Sequence, residues 1–424
     1  MKTKYWFFPV ITVILLFQLF PSCSNPEYQS CDELDKLNWS ERNYKMLNQM
    51  IKDYGIGGKY YDASETPYIV MDWDQTCAHF DVEEALMRYQ LFNLHFKFSE
   101  DQFKNFLKDT INGVTQLSEN FNNIRLADIN ADLESDYQFI RDNYQGFNGK
   151  MTLEAIKLTP QYNDFSVKML FLVEGYLDTP GIGMDHAYLW EVYLLTGFTI
   201  DEVKAIAQKA ISYELANQIG SHTLHSPPGL KTKAGVVSYS FNSGLRVFPE
   251  MQNLISTCQG HGIDVYIVSA SYKPVVEVFS GVGTYGYNLS PENVIGMELA
   301  TDASGKIIPE YKAGWVKTVR GGKVEAINKA IKSLPGKNHD PLFAAGDSDG
   351  DIEMLTQFQG MKLSLIWNRA KGGEIGKLSK QAVDEMESSN PRFILQGRNE
   401  NTGMARASSE SILLGKTEPV LLKQ

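Results

Sequence analysis

Cysteine is scarce, four residues in 424, so the chain does not rest on a disulfide framework. If Cys23 is spoken for, as argued below, Cys31, Cys77 and Cys258 form an odd set that cannot pair up within one chain. Cys77 and Cys258 read as small buried hydrophobes without catalytic work. Basic runs are lacking too. Forty Lys and Arg stand against 51 Asp and Glu, a net charge of -11, and no Lys/Arg cluster could track a phosphate backbone, which argues against nucleic acid as a partner. The seven histidines are scattered without metal-ligand spacing, which argues against a zinc site. Ser269 lacks the flanking glycines of a strained nucleophile turn, so serine hydrolysis has no support. Internal repeats and low-complexity tracts are absent.

What is present is apolar: 43% hydrophobic and 12% aromatic residues over this length are enough for a large core, and the length suggests two domains. Lys2 and Lys4 precede "YWFFPVITVILLFQLF" and then "PSCSN", the layout of an export signal whose apolar run is short for a membrane span. Residues 1–22 are read as a signal peptide. Cleavage would leave Cys23 first, as in bacterial lipoproteins, so contact with a membrane is expected only through an N-terminal lipid anchor on an extracytoplasmic protein. An uncleaved anchor helix and ordinary cleavage nearby are the alternatives, since Phe20 and Pro21 fit a lipobox poorly.

Periodicity divides the remainder. Residues 23–64 form a helical lead-in in which Trp39, Tyr44, Leu47 and Ile51 share one side and Gly55 ends the helix. Residues 81–232 read as helix after helix, with Ser99 and Thr199 as cap residues followed by acidic side chains. Residues 65–80 and 233–424 carry alternating strand and helix signals, the mark of a parallel α/β sheet. The expected fold is therefore an α/β, Rossmann-like parallel core with an inserted all-helical cap.

In "YIVMDWDQT" a buried strand ends on Asp72 and Asp74, which share a face at the carboxyl end, where open α/β sheets bind ligands. Two carboxylates so placed oppose each other's ionisation unless a cation sits with them. A second strand, "FAAGDSDGD", supplies Asp347, Asp349 and Asp351. A calcium loop of the helix-loop-helix type is excluded there, because Ile352 and Phe358 stand where such a loop needs Gly and Glu. Ser269, ending "VYIVS", and Lys323, heading "KVEAINKAI", add a hydroxyl and a permanent cation. Hydroxyl, ammonium and divalent metal around one carboxylate make a cradle for a phosphoryl group, whose transfer depends on positioning and charge neutralisation.

In order, "DWDQT", "IVSAS", "GGK" and "GDSDGD" match the pattern of the haloacid dehalogenase superfamily of phosphohydrolases, which this chain resembles. The resemblance implies that Asp72 is the nucleophile forming an aspartyl-phosphate and Asp74 the general acid and base. It implies that Ser269 and Lys323 bind phosphate, that Asp72, Asp74 and Asp347 serve a Mg2+ ion, and that Thr76 and Asp351 support the site. Lys317 competes with Lys323; "GGK" followed by a helix favours Lys323. The helical block falls where phosphoserine-phosphatase-like members insert a lid that selects the leaving group.

"DWDQTCAHFDVEEAL", "LRVFPEMQNLI", "GIDVYIVSAS", "YGYNLSPENVIGMEL" and "LSLIWNRAK" further resemble bacterial secreted phosphorylcholine phosphatases, mostly in the core. This implies a small phosphorylated metabolite as substrate, such as phosphocholine or phosphoethanolamine, with Asp81, Glu84 and Trp190 at its cationic headgroup. The bland readings are an N-cap for Asp81, an acidic first helical turn for Glu83 and Glu84, and core packing for Trp190 and Tyr193. A broad-specificity or phosphoserine-type phosphatase and a non-catalytic ligand-binding lipoprotein on the same fold are the competing functions.

Overall fold

A computed structural model describes residues 33–423. The segment expected to be an export signal, Cys23 and Cys31 lie outside the described residues. Among the described residues no helix is long and apolar enough to cross a membrane.

Ser40 accepts a hydrogen bond from the Asn43 amide and starts the helix Glu41–Tyr54, which stops at Gly55 as its pattern predicts. That helix lays Leu47 and Ile51, fully buried, against the core. At the centre is a six-stranded sheet. From edge to edge its strands are Phe393–Gln396, Leu363–Trp367, Phe343–Gly346, Tyr68–Met71, Asp264–Tyr272 and Val294–Met297, every pair parallel. Helices cover both faces, so the strands are apolar throughout rather than alternating; Tyr68–Met71 is buried at all four positions. Met71 pairs with both Ala345 and Ile267, so three strands end at one level. From Tyr68–Met71 the chain builds outward on one side with Asp264–Tyr272 and later on the other with Phe343–Gly346. That reversal of direction is a crevice at the carboxyl edge.

The inserted block begins with Asp81, which caps the helix Val82–Phe92 by accepting from the Glu83 and Glu84 amides at 2.8 and 2.9 Å. Capping boxes at Ser99 and Thr199 open two further helices, as their spacing predicts. The block has its own apolar core, into which Trp190, Tyr193 and Tyr176 are packed. Fully buried Lys168 lies 2.8 Å from Asp132 and 2.6 Å from Asp164. Asp132 also accepts from the Lys233 and Ala234 amides, pinning the returning chain to the helix Leu126–Asn143.

The block is not helix throughout. Gly220–His225 and Ser238–Ser243 form an antiparallel hairpin in which Leu224, Tyr239 and Phe241 pack on the cap core. Its mainly polar, two-sided sequence hides the period-2 pattern on which strand assignment depends. A second hairpin, Leu299–Thr301 with Ile307–Tyr311, reaches from the sheet side to the cap. There Ile307 exchanges backbone bonds with Gly197 and Phe198 at 2.9 and 2.8 Å.

Candidate active site

Asp72 directly follows the central strand, and its amide donates to Ala345 O at 3.0 Å, continuing the ladder by one bond. Its carboxylate, 7% exposed, meets the Lys323 ammonium at 2.6 Å and accepts from the Thr76 hydroxyl at 3.2 Å. Lys323, only 2% exposed, also reaches Asp351 at 2.6 Å. Burial alone would lower the Lys323 pKa; Asp351 and Asp72 overcome it and drive it above the ordinary lysine value. Asp72 is raised to about 7 by burial and by Asp351, with Lys323 opposing.

Oxygens of Asp72, Asp347 and Asp351 lie within 4.8 Å of one another, all three residues buried. Buried carboxylate oxygens this close suit a hard divalent cation such as Mg2+, which takes oxygen donors only. In spite of burial, Asp347 is held below its ordinary value by Arg369, 2.6 Å away, and by Lys371. Asp351 is tied into its own loop, where its second oxygen accepts from the Asp347 and Ser348 amides at 3.1 Å each.

The Asp74 side chain turns away from that group, so its carboxylate is not part of the set that would hold a metal. One oxygen accepts from the Val82 amide at 2.8 Å, the other from the Ser271 hydroxyl at 2.7 Å. Burial, then Asp81 and Asp72, push it well above the usual carboxylate range. Between the two aspartates and the cap, Gln75 takes a left-handed backbone (φ 63°), and buried Arg398 binds both its carbonyl and its side-chain oxygen, at 2.9 and 2.6 Å. A non-glycine residue so strained and so held is common at catalytic turns.

Ser269 is fully buried. Its hydroxyl is 3.5 Å from Asp74 and accepts from the Ser271 amide at 3.1 Å, whereas Ser271, two residues on along the same face, lines the cavity. Ser269, the expected phosphate ligand, thus lies beneath the cavity, and the strand period of two does not separate it from Ser271 on the same face. Lys317 is not at the site; it forms an ion pair with Asp185 of the cap.

Above these groups is a cavity of about 180 Å³ whose cap side carries Asp81, Glu83, Glu191 and Tyr188. Asp81 therefore both caps its helix and faces the site, and burial followed by Glu84 raises it to about 7. Burial, with mutual repulsion among Asp81, Glu83 and Glu191, pushes Glu83 and Glu191 well above their ordinary value. Two headgroup expectations are corrected. Glu84 does not line the cavity but pairs with Arg88 at 3.0 Å on the next turn, so Glu83 faces inward instead. Trp190 is fully buried in the cap core, its indole N–H donating to Met169 O at 2.7 Å, so it presents no face to a ligand. Helical periodicity put Trp190 one residue from Glu191, and neighbours on a helix face different ways. Glu191, Tyr188, Arg369 and Lys371 were legible only as members of helical or loop segments.

Residues 231–356 match the family model for haloacid dehalogenase-like hydrolases. The chain therefore contains a haloacid dehalogenase-like hydrolase domain, on a parallel core covered by helices. Over 110 residues it is 27% identical to the phosphorylcholine phosphatase of Pseudomonas aeruginosa, which is 26% of this chain and 29% of that enzyme's length. Along nearly its whole described length it superposes on a crystal structure of a conserved, functionally unknown protein from Anaerococcus prevotii. There the identity is 30% and the TM-score 0.82, covering 91% of this chain and 99% of that one. A substrate-bound phosphoserine phosphatase matches only loosely, at 11% identity and a TM-score of 0.33 over 72% of this chain and 87% of that one.

Proposed function

We propose that this hydrolase is a metal-dependent phosphomonoesterase working through an aspartyl-phosphate. The observation that carries the reading is the Asp72–Lys323–Asp351 bridge, 2.6 Å on each side, beside Asp347 at one strand edge. Asp72, Asp347 and Asp351 would hold Mg2+. When bound, that cation supplies positive charge beside Asp72 and the phosphoryl oxygens.

The Asp72 carboxylate oxygen bonds to phosphorus as the bond from phosphorus to the ester oxygen breaks, and Asp74 in its protonated form, which burial favours, delivers that proton to the departing alkoxide. Asp74, now ionised, takes a proton from water. The water oxygen bonds to phosphorus, the acyl-phosphate bond breaks, and inorganic phosphate leaves with Asp72 restored. Lys323 stays charged throughout and fixes the Asp72 oxygen not engaged with phosphorus. A non-catalytic binder would not need a second buried carboxyl, Asp74, beside the ammonium-paired Asp72, which favours the enzyme over the ligand-binding alternative.

For the substrate we propose a small ester whose alcohol part is cationic, such as phosphocholine or phosphoethanolamine. Asp81, Glu83 and Glu191 crowd the cap side of the cavity, and their mutual repulsion would be relieved by a cation, with the Tyr188 ring beside them. Phosphoserine or a broad range of esters is the competing choice. The N-terminal signal supports an extracytoplasmic, lipid-anchored protein, which mass spectrometry of the native N-terminal peptide would test.

The chemistry is tested by phosphate release from a panel of esters with Mg2+ present. Asp72→Asn should abolish turnover while keeping the fold, and Asp74→Asn should impair it severely; near-normal turnover by folded Asp72→Asn would refute the nucleophile. Phosphocholine and phosphoethanolamine should exceed glycerol phosphate in kcat/KM, and Glu191→Gln should narrow that gap. Equal efficiency for all esters would leave a broad-specificity phosphatase.

A further inference from the structure

Thr318 is fully buried, yet it forms part of the wall of the catalytic cavity. Its hydroxyl has no hydrogen-bond partner among the described residues. Of the residues lining that cavity, Thr318 and Arg369 carry a buried side-chain atom without a hydrogen-bond partner; the Arg369 guanidinium is engaged elsewhere, with Asp347, whereas the hydroxyl is the whole polar group of Thr318. Other unpartnered buried groups, such as Tyr176, Tyr193 and Trp39, are packed in apolar cores away from it. A buried hydroxyl without a partner is destabilising, and such a group beside a site is best understood as kept for a ligand.

The loop that carries it is built rigidly. At Gly322 an added Cβ would lie 1.7 Å from Lys317 O, so only glycine lets the chain fold back this closely. Arg320 adopts a left-handed backbone (φ 51°), and its amide donates to Gly350 O at 2.8 Å, in the loop between Asp347 and Asp351. The Lys323 amide closes the turn on Arg320 O at 2.9 Å. Lys317, next to Thr318, is paired with Asp185 of the cap. One tight turn thus sets Thr318 and the phosphate-site lysine in fixed relation, with its far end tied to the lid.

We infer that Thr318 is a substrate-contacting residue whose hydroxyl donates a hydrogen bond to a non-bridging oxygen of the phosphoryl group, an inference that rests on the phosphomonoesterase reading. The test compares wild type, Thr318→Val and Thr318→Ser with p-nitrophenyl phosphate and phosphocholine, together with inhibition by inorganic phosphate and thermal unfolding. A hydrogen bond to a charged oxygen predicts that Thr318→Val loses about 10- to 100-fold in kcat/KM on both esters. The inhibition constant for phosphate should rise in parallel, and Thr318→Ser should recover most of the activity. Because the hydroxyl satisfies nothing in the protein, Thr318→Val should unfold at the same or a higher temperature, so activity and stability move in opposite directions. A merely structural threonine would give loss of both, with phosphate inhibition unchanged. Wild-type turnover retained by Thr318→Val, a loss confined to one ester, or an unaltered phosphate constant would each overturn the inference alone. A wild type that hydrolyses neither ester overturns the phosphomonoesterase reading, and this inference with it.

Discussion

Replacing Lys323 with methionine removes the one ammonium that lies between Asp72 and Asp351, 2.6 Å from each. The side chain is 3% exposed and its partners 9% and 1%, so solvent screens the pair little. Removing one partner of a buried ion pair typically costs about 3–5 kcal/mol, because the charge left behind has neither water nor counter-charge. Here two carboxylates are stranded, with Asp347 beside them. For a domain this large, such a loss corresponds to a fall in Tm of roughly 6–15 °C. A divalent cation in the same cluster would supply the missing charge. Lys323→Met should therefore be strongly destabilised in EDTA, and saturating Mg2+ should raise its Tm by more than it raises that of the wild type. The assay is thermal or denaturant unfolding of both proteins with and without Mg2+. Equal Mg2+-induced shifts, or a variant as stable as wild type in EDTA, would refute the view that lysine and metal share one carboxylate cluster.

The carboxyls of Asp72 and Asp81 are raised to about 7 from an ordinary 3.8, so each contributes stability that is complete below about pH 4 and lost as pH rises through 7. Metal-free protein should accordingly lose stability between about pH 4 and 7. Asp81→Asn, which keeps a capping oxygen, should flatten part of that slope, coming nearest to wild type below about pH 4 and exceeding it at about pH 7 and above; an unchanged slope in thermal melts would contradict the assignment. Trp190→Phe should lower stability by about 1–3 kcal/mol through the lost bond to Met169 and lost volume, without changing the ratio of kcat/KM between cationic and neutral esters. A changed ratio in the folded variant would place Trp190 at the substrate after all. Cys77 and Cys258 are buried, and burial raises both thiols, Cys258 to about 12. Neither should be alkylated by iodoacetamide in native protein at pH 8, and both should be on unfolding, as peptide mapping would show.

The clustering of the candidate site at one sheet edge was legible because strand ends are local. A buried apolar run that stops at charged residues marks the carboxyl end of a parallel strand, and "DWDQT" and "GDSDGD" carry their chemistry within a few residues of that point. Asp72, Lys323, Asp347 and Asp351 meet as their order along the chain suggests. Helix starts at Ser99 and Thr199 were legible for the same reason, since a cap is made by residues three apart. The hairpin Gly220–His225 with Ser238–Ser243 was not, because polar strands on a surface leave no period to read. Nor could the sequence decide which way a side chain points where two elements meet. Glu83 rather than Glu84 faces the site, Glu191 faces it while Trp190 is buried in the cap, and Ser271 lines the cavity while Ser269 lies beneath. These choices depend on rotation of one helix or strand against another by a fraction of a turn, which is set by the packing of the whole cap on the sheet. Thr318 and Arg369 reach the site from loops that follow other elements of the chain, through contacts that exist only once the sheet is assembled.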